Sequence, residues 1–279
     1  MGNVITFGNF KGGVGKTSSS AMVGYILSKK GKKVLLVDVD PQGNLTSLML
    51  KTKQRLSNDS EVVMFDRTLM SAISEGDLTS IITSINDNLD LLPSYVDFTS
   101  YPAFLERLYP DSDYERALHF SKLLEPIKSD YDIVIIDVPP TVSIYTDSAL
   151  MASDYTVVVL QTQERSLEGA QQYIVYLNEL TQNYDASFDV LGILPVLLKN
   201  TSMVDHSVIT SAIDEFGDGN MFKNVIKNME RIKRYDIQGI GDPDYIEAKT
   251  DHHDRRVFDV YGAVADEFLQ RCDDLEGNE

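Results

Sequence analysis

The chain has 279 residues, of which 43% are hydrophobic, and a formal net charge of −18. This length and composition allow a full hydrophobic core, and the negative charge argues against nonspecific affinity for nucleic acid over the whole surface. The only cysteine, Cys272, excludes a disulfide framework or a four-cysteine zinc site within one chain. We expect a cytoplasmic protein with no membrane segment, because no apolar run approaches roughly 20 residues.

A glycine-rich loop follows the first predicted strand, residues 3–8, and leads into a predicted helix from Lys16 to about Gly31. Its sequence, KGGVGKT at 11–17, and its strand–loop–helix context are those of a phosphate-binding loop. Glycines let backbone N–H groups approach phosphate oxygens, and the helix N-terminus adds partial positive charge. We expect Lys16 to bridge the β- and γ-phosphates and the Thr17 hydroxyl to bind Mg²⁺. The predicted nucleotide-binding residues are Lys11, Gly12, Gly13, Val14, Gly15, Lys16, Thr17 and Ser18.

Two residues of this loop depart from an ordinary phosphate-binding loop. Such a loop needs one lysine, yet this chain has Lys11 as well as Lys16. The first glycine of the ordinary pattern would fall at position 10, which is Phe10 here. The residue pattern alone gives neither departure a role.

The later segments alternate between strand and helix patterns. Apolar segments at 32–40, 132–140, 155–162 and 188–198 are typical of buried parallel strands, and helical patterns cover 114–128, 166–183 and 203–216. This alternation predicts an α/β fold with a doubly wound, mostly parallel sheet and helices on both faces, in one domain over 1–279. Polar residues 51–64 predict a loop, residues 88–93 a short strand, and acidic residues 273–279 a frayed tail.

Aspartates end two of the predicted strands. Asp38 and Asp40 end the strand at 32–40, where alternation places both on the same side, and Asp137 ends the segment IVIID. Carboxylates at the C-terminal edge of a parallel sheet face the crevice where ligands bind. Solvated strand ends are the alternative, but the phosphate-binding loop favours a site in which Asp137 holds the magnesium shell.

Several separate motifs occur together in one order: KGGVGKT, LLVDVDPQGNLTS, LDLLPS, YDIVIIDVPP and TQERSLEG. In order and spacing they resemble the ParA/Soj-type partition ATPases of the deviant Walker A class, over about residues 3–200. The resemblance implies ATP and Mg²⁺ as cofactors and a face-to-face homodimer in the ATP state. It gives Lys11 a reach to the partner's nucleotide, and it tolerates a residue other than glycine at position 10. It also implies catalytic roles for Lys11, Lys16 and Asp40, which orients the attacking water, and metal ligation by Thr17, Asp38 and Asp137.

Other deviant Walker A proteins fit the sequence less well. The MinD type ends in a basic amphipathic helix, whereas this C-terminus is acidic. Bridging an iron–sulfur cluster takes two cysteines per subunit, and tyrosine autokinases carry a terminal tyrosine cluster, whereas these 14 tyrosines are scattered.

The resemblance therefore predicts a slow ATPase that segregates DNA, with a plasmid as the expected cargo. It implies nonspecific binding to double-stranded DNA in the ATP state, association with the nucleoid, and stimulation by a small centromere-binding, ParB-type partner. Because the loop begins at residue 11, we expect no N-terminal helix-turn-helix. The alternative is a deviant Walker A ATPase that assembles or positions a protein cargo without direct DNA binding.

One basic segment, residues 222–235, is the candidate DNA-binding site. If it forms one helix, four cations spaced by four, four and three residues share a face, and Lys233 adds a fifth. The four are Lys223, Lys227, Arg231 and Arg234. A solvated helix paired with acidic neighbours is the alternative. Arg255 and Arg256 extend the candidate patch.

Two adjacent histidines, His252 and His253, lie beside Asp251 and Asp254. A metal site could use such residues. Adjacent histidines point apart on a helix or a strand, however, so we interpret them as solvated polar residues.

Overall fold

The strands form where the sequence is continuously apolar. The structure is a computed structural model that describes residues 2–57, 67–184, 186–198, 203–244 and 252–277. The strands are β1 Asn3–Gly8, β2 Val34–Asp38, β3 Thr83–Asn86, β4 Leu89–Leu92, β5 Ile133–Asp137, β6 Tyr155–Gln161, β7 Asp189–Leu198 and β8 Ile226–Lys227. Within these residues they make one eight-stranded sheet in the order β3-β4-β2-β5-β1-β6-β7-β8. Every pairing is parallel except that of β3 with β4.

Helices cover both faces of this sheet. They are α1 Lys16–Lys29, α2 Asn44–Ser57, α3 Leu69–Glu75, α4 Tyr101–Leu108, α5 Asp113–Lys128, α6 Ile144–Met151, α7 Glu164–Tyr184, α8 Met203–Phe216, α9 Glu230–Gln238 and α10 His252–Glu276. Side chains alternate along each strand, so Leu36 of β2 packs in the core with α1, α2, α9 and α10, whereas Leu35 packs in the core with α3 to α6. A third cluster joins β6 and β7 to α7 and α8. The predicted fold class is confirmed.

No helix in the described ranges combines the length and the apolarity that crossing a bilayer requires. One continuous sheet also runs through these ranges. A single domain over 1–279 is the simplest organisation that fits this sheet, and it stays a prediction.

Two segments differ from their predicted conformation. Residues 51–57 belong to α2, because contacts with α9 stabilise a polar stretch that local composition assigns to a loop. Arg55 donates from its guanidinium to the carbonyl of Gly239 at 3.0 Å, for example. Residues 58–64 of the predicted loop lie outside the described residues. At the C-terminus, α10 continues to Glu276, so residues 273–276 are helical where the sequence predicts a frayed tail.

The basic segment 222–235 is not one helix. β8 takes up Ile226 and Lys227 at the edge of the sheet, and α9 begins only at Glu230. The chain is extended there because Ile226 is buried in the core against the sheet. The predicted stripe is therefore wrong: its members, Lys223, Lys227, Arg231 and Arg234, do not share one helical face.

Candidate nucleotide-binding site

The loop between β1 and α1 has the backbone conformation of a phosphate cradle. Gly15 caps α1 with φ 89°, and Gly13 has φ 73°, in the left-handed region that other residues avoid. Together with α2 and the ends of β2 and β5, the loop encloses a cleft of about 610 Å³, within the usual range for ligand sites. The cleft is lined by Gly13, Gly15, Lys16, Thr17, Ser18, Asp40, Gln42, Asn44, Ser47, Leu48, Lys51, Val138, Pro140 and Asp236.

The two lysines of the loop have different places. Lys16 is 6% exposed, lines the cleft and donates from Nζ to the carbonyl oxygen of Lys11 at 3.3 Å. Burial lowers the pKa of Lys16, while the charges of Asp137 and Asp40 act to raise it. Within the described part of the chain, Lys11 is not among the residues that line this cleft. Its position agrees with a role outside its own subunit's site.

Asp137 lies beside the start of α1. Its Oδ2 accepts from the Thr17 hydroxyl at 2.7 Å, and its Oδ1 accepts from the Ser20 hydroxyl at 3.4 Å. Burial raises the pKa of Asp137 to about 7, against the hydrogen bond from Thr17 and the charge of Lys16. Hydroxyl and carboxylate oxygens are the ligands that Mg²⁺ prefers, and a cation would favour the ionised form of this buried carboxyl group. These residues fit the predicted magnesium site.

Asp38 is opposite Asp137 in the register of β2 and β5 and is fully buried. Its carboxylate accepts from the backbone N–H of Asp40 at 3.1 Å and from the backbone N–H and hydroxyl of Thr46, both at 2.8 Å. Burial first, and then the charge of Asp137, raises the pKa of Asp38 to about 8. The contacts of Asp38 hold the start of α2 and the backbone of Asp40 in place. Its role as a metal ligand stays a prediction, and these hydrogen bonds would have to open for it.

Asp40 is half-buried and lines the same cleft as Lys16. Its Oδ1 accepts from the backbone N–H of Gln42 at 2.9 Å, which closes a tight turn before α2. The structure thus brings together the predicted catalytic side chains Lys16 and Asp40. It leaves Lys11 apart from them.

Sequence reasoning missed two residues that shape this site. The Thr46 hydroxyl donates to Asp38 and accepts from the backbone N–H of Ser94 at 2.9 Å, which connects β2, α2 and the end of β4. Both residues lie inside motifs that the sequence shows, LLVDVDPQGNLTS and LDLLPS. The motifs were the available signal, but spacing alone does not reveal a contact between them.

The predicted DNA-binding residues are dispersed. The Arg231 guanidinium donates to both carboxylate oxygens of Asp254, at 2.6 and 2.5 Å, and Lys233 pairs with Glu230 at 2.7 Å. Arg234 and Arg256 line a second cavity of about 280 Å³ between α9 and α10, together with Asn228, Met229, Glu230, Arg231 and His253. Lys223 lies before β8, and Lys227 lies within it. Arg231 is therefore largely neutralised, whereas Arg234 and Arg256 face a common space.

The histidine pair forms no metal centre in the described ranges, which contain no group of three or more suitable ligands. Asp251 lies outside the described residues. Asp254 faces inward, where it accepts from Arg231 and from the hydroxyl of Tyr235 at 2.6 Å. His252 and His253 are exposed, in agreement with the interpretation as solvated residues.

Comparison with known proteins identifies the family. A family described as "AAA domain" matches residues 2–190. The sporulation initiation inhibitor protein Soj of Bacillus subtilis (strain 168) is 32% identical over 240 residues, covering 86% of this chain and 89% of Soj. The chain belongs to the ParA/Soj family of P-loop ATPases. The resemblance seen in its motifs is confirmed.

Solved structures agree with the fold of this ParA/Soj family member. Apo McdA from Cyanothece superposes with a TM-score of 0.79 at 21% identity, covering 96% of this chain and 100% of McdA. A structure named cobyrinic acid a,c-diamide synthase, from Mycobacterium smegmatis, has a TM-score of 0.72 at 23% identity, covering 97% and 95%. That neighbour holds an ATP analogue and magnesium, in agreement with the cofactors predicted here.

Proposed function

We propose that this ParA/Soj family member binds ATP with Mg²⁺ and hydrolyses ATP slowly, as a switch for the segregation of DNA. The observation that carries the proposal is the single cleft in which Lys16 and Asp40 face a glycine cradle, with Asp137 bonded to Thr17. Lys16 and the backbone N–H groups of the cradle hold the phosphates, and Thr17 and Asp137 hold the magnesium shell. Asp40 orients the attacking water. The metal balances the negative charge of the phosphates.

The ATP-bound form is a face-to-face homodimer in this proposal. Two nucleotides that face each other bring several phosphate charges close together, and repulsion between them is strong unless cations lie nearby. Lys11 supplies one such cation from each subunit to the partner's phosphates. The absence of Lys11 from the lining of its own cleft, within the described residues, supports this assignment.

Nonspecific DNA binding uses the exposed cations around α9 and α10. These are Lys223, Lys227, Lys233, Arg234, Arg255 and Arg256, with Arg234 and Arg256 at the centre because they share a cavity. One subunit of an acidic protein offers too few of them to hold DNA at physiological salt. Dimerisation doubles the number, so DNA binding follows ATP binding. A ParB-type partner then stimulates hydrolysis and releases the DNA, with a plasmid as the expected cargo.

Salt-dependent DNA binding tests this part of the proposal. We expect binding with ATP and none with ADP or without nucleotide. Arg234→Ala and Arg256→Ala should each weaken binding to all sequences alike and flatten the slope of log K against log salt by about 0.9. Arg107→Ala, which removes an exposed arginine of α4 from the opposite face of the sheet, is the matched control and should leave the slope unchanged. Unchanged slopes in all three variants would place the DNA site elsewhere.

A second candidate function is the assembly or positioning of a protein cargo without direct DNA binding. The net charge of −18 and the carboxylate partners of Arg231 and Lys233 favour it. The same titration decides between the two functions, because this candidate predicts no DNA binding even in the ATP state.

A further inference from the structure

The segment from Gly8 to Lys11 lies along one face of α7. Gly169, Tyr173 and Tyr176 share that face, because they are spaced by four and three residues in a helix. Within it, α7 approaches the chain at Gly169 more closely than any other residue type would allow. A Cβ at Gly169 would lie 2.9 Å from Oδ1 of Asn9 and 3.4 Å from Cβ of Lys11.

Asn9 fixes the backbone of Lys11 from the other side. It is 1% exposed, and its Oδ1 accepts from the backbone N–H of Lys11 at 2.8 Å. Its Nδ2 donates to the carbonyl oxygen of Val159 in β6, also at 2.8 Å. The backbone of Lys11 is therefore held between the sheet and Gly169. Glycine is disfavoured inside helices, so this close approach gives a physical reason for its place in α7.

Phe10 anchors the same segment. Its ring meets the rings of Tyr173 and Tyr176 edge to face, with centroids 5.1 Å away in each case. The Tyr176 hydroxyl donates to Asp147 of α6, which ties this face of α7 to a neighbouring helix. The residue that takes the place of the first loop glycine is thus an aromatic anchor, and it adjoins Lys11 in the chain.

We propose that this face of α7 sets the position from which Lys11 reaches the partner's nucleotide, with Gly169 and Asn9 as positioning residues. The inference rests on the dimer in the proposed function. A lysine that must contact phosphate across an interface needs its backbone in one place, since a displacement of about 1 Å can cost about a hundredfold in a precise contact. The fixed backbone supplies that place. The motif TQERSLEG, which includes Gly169, thereby gains a role.

Gly169→Ala tests the inference. The added methyl group should push the Lys11 backbone outward and leave Lys16 and Thr17 in place. We expect ATP affinity within about twofold of wild type and an ATP dimer at least about tenfold weaker, by sedimentation across protein concentrations. Gly262→Ala in α10 is the matched control, because a Cβ at Gly262 meets no atom within 4 Å, and it should leave both quantities unchanged.

A double-variant cycle with Lys11→Ala separates positioning from general damage. If Gly169 acts through Lys11, adding Gly169→Ala to Lys11→Ala should weaken the dimer no further. Independent, additive losses or a large loss of ATP affinity in Gly169→Ala would overturn the inference. A wild-type ATP dimer in Lys11→Ala would instead overturn the proposed function itself.

A second variant covers poor folding of Gly169→Ala. Phe10→Leu keeps an apolar side chain but removes both ring contacts. It should weaken the dimer with little change in ATP affinity, and again not in the Lys11→Ala background. A wild-type dimer in this variant would overturn the inference.

Discussion

Arg231→Ala should destabilise the protein, although Arg231 belongs to a segment that sequence alone interprets as a DNA-binding surface. The Arg231 side chain is 15% exposed and that of its partner Asp254 is 4% exposed. Two guanidinium nitrogens bind the two carboxylate oxygens, and Tyr235 donates a third hydrogen bond to Asp254. The substitution would therefore leave a buried carboxylate with only the tyrosine hydroxyl as a partner.

The expected size of the effect follows from this burial. Removing one partner of a buried ion pair lowers the free energy of unfolding by about 3–5 kcal/mol, because the remaining charge is uncompensated. The residual exposure of Arg231 places the expected loss at the lower end, about 3 kcal/mol. For a chain of this length, each kcal/mol shifts Tm by about 2 °C, so we expect a fall of about 6 °C.

Urea unfolding followed by circular dichroism, with thermal melts, measures this loss. Arg234→Ala is the control, because this neighbouring arginine is exposed, and its change should stay within about 0.5 kcal/mol. Arg231→Met with Asp254→Leu removes both charges and should recover most of the stability. Wild-type unfolding of Arg231→Ala would show that Arg231 is a solvated cation, and it would return Arg231 to the candidate DNA surface.

Three further outcomes test the nucleotide site. Lys16→Ala should reduce ATP affinity at least about a hundredfold, because the phosphates lose a cation and a charge-assisted hydrogen bond; fluorescent-nucleotide titration measures it, and near-normal affinity would refute the role of Lys16. Asp40→Ala should bind ATP, form the dimer and hydrolyse ATP at least about tenfold more slowly, since only the positioning of water is lost; a wild-type phosphate-release rate would move that role elsewhere. Asp38→Asn should also slow hydrolysis and should keep Mn²⁺ affinity in the ATP complex, measured by electron paramagnetic resonance, whereas Asp137→Asn should lower that affinity; an equal loss in both variants would show that Asp38 is a metal ligand.

The sequence by itself determined the fold class and the central half of the site. The strands are buried on both faces, so their apolar runs identify them locally, and β1 begins and ends where the pattern predicts. The phosphate-binding loop is equally local, because its ligands are backbone N–H groups and side chains within seven consecutive residues, Lys11 to Thr17. Asp137 and Asp40 could be placed because parallel strands end at one edge of a sheet.

Only the tertiary structure decided which charges are free and how Lys11 is held. Helical periodicity describes a segment against its own axis and contains no information about a partner helix that comes later in the chain. Arg231 therefore looks like a surface cation until α10 brings Asp254 to it. The same reason hides the contact of Gly169 with Asn9 and Lys11, which exists because β6 and α7 pack beside β1. Contacts between distant segments depend on how the layers pack, and burial then fixes whether a charge is solvated or paired.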